Sequence, residues 1–179
     1  MNSPRLPSLA AAFALAFLLV PSPAPLASDQ EPVWTVGEEK DLRSVRFRVS
    51  DARCAYRIIA EPEFMSTHIP HVRGYEIHES RPGYMDLSIT EIFVKMARGT
   101  SRYDRHFDGA NHVRWKLTQG RQRVHDGDWL VTPDKHGAVV VFSNRIEAKS
   151  RLHQKLIVWV QKVTMREIVK ATRKHCGAG

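Results

Sequence analysis

The sequence holds only two cysteines, Cys54 and Cys176, and no Cys-x-x-Cys, which excludes a thioredoxin-like redox centre and a zinc ribbon. It has no Gly-x-Ser-x-Gly nucleophile elbow, no His-Glu-x-x-His and no phosphate-cradling glycine loop. Nine histidines are scattered through the chain, and the closest pair, His68-x-x-His71, straddles Ile69-Pro70, where helical ligand spacing fails. Neither a metal site nor a cofactor is therefore expected, and no residue qualifies as catalytic. Internal repeats are absent. Beyond the N-terminus no run is apolar enough to cross a bilayer, and from Leu152 to Lys174 there is neither proline nor glycine.

What is present begins with Arg5 and the apolar run Leu6 to Val20, followed by a Pro/Ser/Ala stretch. Such a run is short for a membrane span and has the form of a secretory signal, Met1 to Ser28, cleaved after Ala24, Ala27 or Ser28. A retained N-terminal anchor is the alternative. The expectation is a secreted or periplasmic protein. In an oxidising compartment an even pair of cysteines suggests one disulfide, two free thiols being the other possibility. The net charge of +8 has its bases thickened between Lys149 and Lys174, which suits an anionic membrane surface or a solvated face. Secretion, with no RNA-binding signature or zinc finger, argues against nucleic acid.

Residues 29–42 are polar, with Trp34 as their one large apolar anchor. Val45, Phe47 and Val49 then alternate as a half-buried strand. Ser50 or Asp51 is placed to cap a short helix over Ala52 to Ala60, which Glu61-Pro62 breaks. A second short helix runs from Glu63 to His68, before Pro70. Six strands follow, marked by period-two patterning and by turns at Arg81-Pro82-Gly83, Arg98-Gly99, Asp108-Gly109, Gln119-Gly120 and Pro133 to Gly137. The last is "GDWLVTPDKHGAVVVF", a tryptophan-led strand turning into a valine-rich one. The tail changes period: Leu152, Leu156, Trp159, Val160, Val163 and Ile168 fall on one helical stripe, with Val158, Met165 and Val169 opposite. A seven-stranded antiparallel sheet with one apolar face needs a cover, and the terminal helix is the available one.

This order, with "HIPHVRGYEI" closing the helix pair, the "GDWLVTPDKHGAVVVF" strand pair and the long last helix, resembles the START-like (SRPBCC) helix-grip superfamily, particularly its polyketide cyclase/dehydrase and coenzyme Q-binding branches. The resemblance spans residues 43–176. It implies an α+β fold whose sheet curves around the C-terminal helix and leaves a cavity for a lipid or other mostly apolar small molecule. It also implies that the short helices brace the far end of the long one, which brings Cys54 to Cys176. A binding protein, monomeric and without a cofactor, is the leading expectation. A cyclase or dehydratase using the same cavity is the first alternative, and an adaptor engaging membrane or protein the second.

Alternation selects the residues expected to line that cavity. On the third strand Leu87, Ile89, Glu91 and Phe93 share a side; on the fourth, Tyr103, Arg105 and Phe107 do. A turn centred near Arg98 sets Glu91 opposite Arg105, an inward ion pair among aromatics. A hairpin centred near Ala110 sets Arg105 opposite Trp115, within reach of a cation–π contact. Phe142 and Asn144 on the last strand and Leu156 and Val160 on the helix complete the candidate ligand pocket. The alternative for Glu91 and Arg105 is a satisfied structural pair, or a bulge that turns both outward. Glu167 falls in the helical stripe and is otherwise a surface partner. Gly127 suggests a bulge that leaves the face of Trp129 open.

Overall fold

The computed structural model describes residues 31–37, 41–93 and 97–179, with the side chains of 93, 97 and 151–153 outside the description. The signal-like run Met1 to Ser28, Phe93's side chain and Leu152's side chain therefore lie outside the described residues. The elements are β1 (Val33–Val36), β2 (Leu42–Val49), α1 (Ala52–Ala60), α2 (Pro62–His68), β3 (Val72–Arg81), β4 (Tyr84–Phe93), β5 (Ala97–Asp108), β6 (His112–Gln119), β7 (Val124–Asp134), β8 (Gly137–Glu147) and α3 (Arg151–Cys176). All strands join one antiparallel sheet in the order β1-β2-β8-β7-β6-β5-β4-β3. The described residues thus form eight strands rather than seven. The additional one, β1, lies in the stretch read as a polar segment. It pairs through its backbone with β2 while its side chains stay exposed, so no alternation marks it in the sequence.

The first helix starts where the side chain of Asp51 accepts a hydrogen bond from the Cys54 amide at 2.9 Å. The inward face of the sheet buries Val45, Phe47, Leu87, Val113, Trp129, Val131 and Phe142. Outward faces carry cross-strand ion pairs such as Arg102–Asp86 and Arg145–Asp126. The β7–β8 ladder runs unbroken from Val124 to Asp134, so Gly127 marks no bulge and Trp129 points inward. Trp129 is fully buried, donates its indole N–H to the Ala55 carbonyl at 2.9 Å and packs edgewise on Phe47. Gly127 has a different role: a Cβ there would meet the Trp115 ring and the Ser143 carbonyl, both at 2.4 Å. The missing side chain lets the Trp115 indole lie flat against the ladder.

Two expectations are corrected. Phe93 pairs with Ala97 and Glu91 with Gly99, so each β4 residue meets a β5 partner six positions before the expected one and Arg98-Gly99 belong to β5. Leu87 faces Tyr103, and Arg105 faces Met85. The shift is even, so every side chain keeps its face. The buried side of α3 also differs from the expected stripe. Gln161, Met165, Ile168, Val169, Thr172 and Cys176 are buried, whereas Leu156 and Trp159 are 57% and 49% exposed. Two polar residues sit in that face with their donors on backbone carbonyls, although Gln161 Oε1 has no partner. Gln161 donates to Asn144 O at 2.6 Å and Asp41 O at 3.2 Å, and Thr172 to Ile168 O at 2.8 Å.

The far end of α3 is tied down three times. Cys54 and Cys176 form a disulfide with 5.4 Å between Cα atoms. Beside it, the amides of Asp51 and Ser50 donate to the carbonyls of Cys176 and Gly177. The near end is held through Gln154, which accepts from the Ala148 amide and donates to the Ile146 carbonyl.

Candidate functional site

Between α3 and the sheet lie two adjoining spaces. The inner chamber, about 70 Å³, is walled by Ile89 and Glu91 from β4, Tyr103 and Arg105 from β5, Trp115, His125, Phe142, Asn144 and Ile146 from the strands beyond, and Val160, Thr164 and Ile168 from α3. Ile59, Met65, Ile69, His71 and Val72 close its floor. The outer pocket, about 480 Å³, lies between Gly99 and Ser101 on β5, Arg121 and Gln122 in the β6–β7 turn, Ala148 and Lys149, and Leu156, Ile157 and Val160 on α3. Ile146 and Val160 line both, so the two spaces adjoin.

Eight of the twelve residues chosen by alternation wall the inner chamber, namely Ile89, Glu91, Tyr103, Arg105, Trp115, Phe142, Asn144 and Val160. Leu156 stands at the outer pocket. Leu87 is core, and Phe107 is half-buried against the core. Glu167 is half exposed on α3, its carboxylate 3.8 Å from Nδ1 of His71. His71 and His125 were not chosen. His125 shares Trp129's face, a fact hidden by the suspected bulge at Gly127, and His71 precedes the alternating run of β3.

Arg105, 4% exposed, holds the site together more than it offers itself to a guest. Its Nη1 donates to the Ile59 carbonyl at 2.5 Å, and its Nη2 approaches Met65 Sδ at 3.4 Å. Ile59 is in the last turn of α1, where carbonyls lack helical partners, so the guanidinium completes that helix end. Trp115 is its cross-strand neighbour as expected. The expected pairing with Glu91 is replaced by an interaction across the concave face: the two charges feel each other without closing an ion pair. The Glu91 carboxylate lies 3.6 Å from Nε2 of His71 instead.

Burial governs the charge states. It pushes Glu91 up to about 7, with the nearby Arg105 opposing, and lowers Arg105 to about 10. His71 and His125 are both lowered by burial to about 4, so both are neutral near pH 7. Burial raises the Tyr103 phenol well above its ordinary range. Tyr103 Oη lies 2.8 Å from His125 Nδ1; a hydroxyl donating there leaves the imidazole proton on Nε2. Four buried polar atoms of the chamber have no hydrogen-bond partner: Arg105 Nε, Glu91 Oε2, Asn144 Oδ1 and His71 Nδ1. Such atoms are costly to bury unless something else meets them. The described residues contain no cluster of three or more metal-ligating side chains.

No protein-family model and no curated protein matches this sequence. Solved structures do. The Zhui aromatase/cyclase from a Streptomyces species superposes with a TM-score of 0.64 at 16% identity, covering 77% of this chain and 98% of that one. A START superfamily protein from Mycobacterium smegmatis gives 0.64 at 15% identity, covering 75% and 94%. A STAR-related lipid transfer protein from Xanthomonas axonopodis gives 0.58 at 15%, covering 78% and 91%. At these identities the likeness speaks to architecture alone. The chain has the START-like helix-grip fold, an antiparallel sheet curved around its C-terminal helix.

Proposed function

We propose that this protein binds a lipid or other mostly apolar small molecule, enclosed between the sheet and α3. One observation carries the reading: an outer pocket of about 480 Å³, within the usual size range of ligand sites, adjoins a chamber in which several buried polar atoms lack partners. Apolar walls with a few convergent polar groups are what a mostly apolar guest requires. In this proposal the protein is exported, on the strength of the Met1 to Ser28 segment, and acts as a monomer. Its mouth meets anionic membrane. Leu156 and Trp159 are exposed on the overhanging turns of α3, with Lys149 and Lys155 nearby to attract acidic headgroups. The test is native mass spectrometry of the purified protein, with extraction of its contents and uptake from a lipid mixture. A protein that is empty and takes up nothing defeats the reading.

A second reading is favoured by Glu91, whose carboxyl titrates near neutrality beside the buried Arg105 cation. A group with such a pKa suits general acid or base chemistry, as in a cyclase or dehydratase acting on a carbonyl compound. Turnover of a polyketone that Glu91→Gln abolishes, in an otherwise unchanged fold, would favour this reading over simple binding.

A further inference from the structure

The proposed binding function leaves the guest's chemistry open, and the inner chamber narrows it. We propose that this chamber receives a single carboxylate, so that the guest is a monoanionic amphiphile held head-inward with its tail in the outer pocket; this rests on the binding reading above.

The size comes first. At about 70 Å³ the chamber accommodates a few water-sized groups, on the order of 10–15 Å³ being needed for each. A carboxylate with its neighbouring methylene fits; a sugar or a bulky phosphodiester headgroup does not. The outer pocket is several times larger and its walls include Ile146, Leu156, Ile157 and Val160, which suits a hydrocarbon tail.

Charge comes second. Among the described residues Arg105 is the one permanent cation lining the chamber, and its Nε–H is buried and unpaired. A buried cation is stabilised by one counter-charge, not by two, which favours a monoanion over a phosphate dianion. Glu91 Oε2, His71 Nδ1 and Asn144 Oδ1 are the other unpaired positions, and a protonated Glu91 would donate to the incoming carboxylate. Seating the tail inward instead would leave all of these atoms unmet.

The remaining groups around Glu91 stay constant near neutrality. His71, which precedes β3, His125 on β7 and Tyr103 on β5 are uncharged there, and Arg105 is charged. Asn144 on β8 does not titrate. Arg73 on β3 acts on His71 to lower it further, and the half-exposed Glu167 side chain on α3 lies beside His71 Nδ1. An ionised Glu91 repels a second carboxylate, so binding takes up one proton. The cations at the mouth, Arg121 and Lys149, draw the anion in without holding it.

The experiment uses the delipidated protein and three probes of one tail length, dodecanoate, its methyl ester and dodecylamine, each kept below its aggregation concentration. Calorimetric titrations run from about one pH unit below to about one above neutrality. Dodecanoate is expected to bind about tenfold or more tightly than the ester at the lower pH, and to weaken by up to about tenfold per unit above pH 7. Glu91→Gln should keep the low-pH affinity at every pH. Should that variant fail to fold, the wild-type series with three probes still decides. An ester or amine that binds as well as the acid, or an acid affinity independent of pH, overturns the carboxylate receptor while leaving the container intact. So does a pH-independent affinity that falls with Arg121→Gln and Lys149→Gln, which would place the head at the mouth. If none of the three probes binds at any pH, it is the container reading itself that fails.

Discussion

Replacing both cysteines by alanine tests the cross-link between the two ends of the domain. The disulfide joins residues 122 positions apart, so it restrains nearly the whole domain when the chain unfolds. The loop-entropy relation gives about 5 kcal/mol at 25 °C for a loop of this length. In a chain of this size each kcal/mol moves the melting point by about 2–4 °C, so the double variant should melt roughly 10–20 °C lower. Urea titration separates the cause. An effect that acts through the unfolded state leaves the native fold intact but raises the slope of stability against denaturant, since the unlinked chain exposes more surface. The native state keeps the amides of Asp51 and Ser50 on the carbonyls of Cys176 and Gly177, so the two ends still meet without the bridge. Uptake of a guest should survive, while amide exchange quickens in α1 and the last turn of α3. A loss below about 1 kcal/mol with an unchanged slope would refute the reasoning: the unfolded chain would then be compact enough without the bridge.

The buried titrating groups give the stability a pH signature. His71 and His125 fall from an ordinary 6.5 to about 4, so their contribution is present above pH 6.5 and lost as pH falls toward 4. Glu91 rises from 4.5 to about 7, so its contribution runs the other way, falling as pH climbs through that window. The net from these three groups is one proton more on the unfolded chain between about pH 4.5 and 6.5, hence a gain of about 1.4 kcal/mol per pH unit. Glu91→Gln should roughly double that acid slope and stabilise the protein above pH 7 by up to about 3 kcal/mol, measured by urea titration at several pH values. Gly127→Ala should expel the Trp115 ring from its seat, costing about 1–3 kcal/mol and altering the near-ultraviolet circular dichroism. An unaltered spectrum would show that the ladder yields instead. Trp129→Phe should cost about 1–3 kcal/mol through the orphaned Ala55 carbonyl, with faster amide exchange in α1 as its local sign.

Local chemistry made much of this architecture legible. Asp51 marks the start of α1, Glu61-Pro62 its end, and Asp108-Gly109 sets a hairpin in which Arg105 faces Trp115 as alternation and turn length require. The β4–β5 connection was misjudged because residues 94–96 carry no glycine or proline, whereas Arg98-Gly99 resemble a turn and lie within a strand. Since side chains alternate with a period of two, an even error in register moved the partners and spared the faces. Glu91 and Arg105 were therefore correctly assigned to the interior and wrongly paired.

The helix shows the opposite case. Apolar residues occur on most sides of α3, so its own pattern admits several buried stripes. Choice among them falls to contacts distant in sequence: the Asp41 and Asn144 carbonyls that receive Gln161, and the disulfide that sets the helix's far end. By itself the sequence determined element types, inward faces and a sheet in need of a cover, because these follow from short-range periodicity and turn chemistry. Only the tertiary structure decided which side of α3 is buried, that Arg105 closes the end of α1, and where space remains between the helix and the sheet. Those outcomes depend on volumes and unpaired polar atoms contributed by many separate segments, which no local pattern encodes.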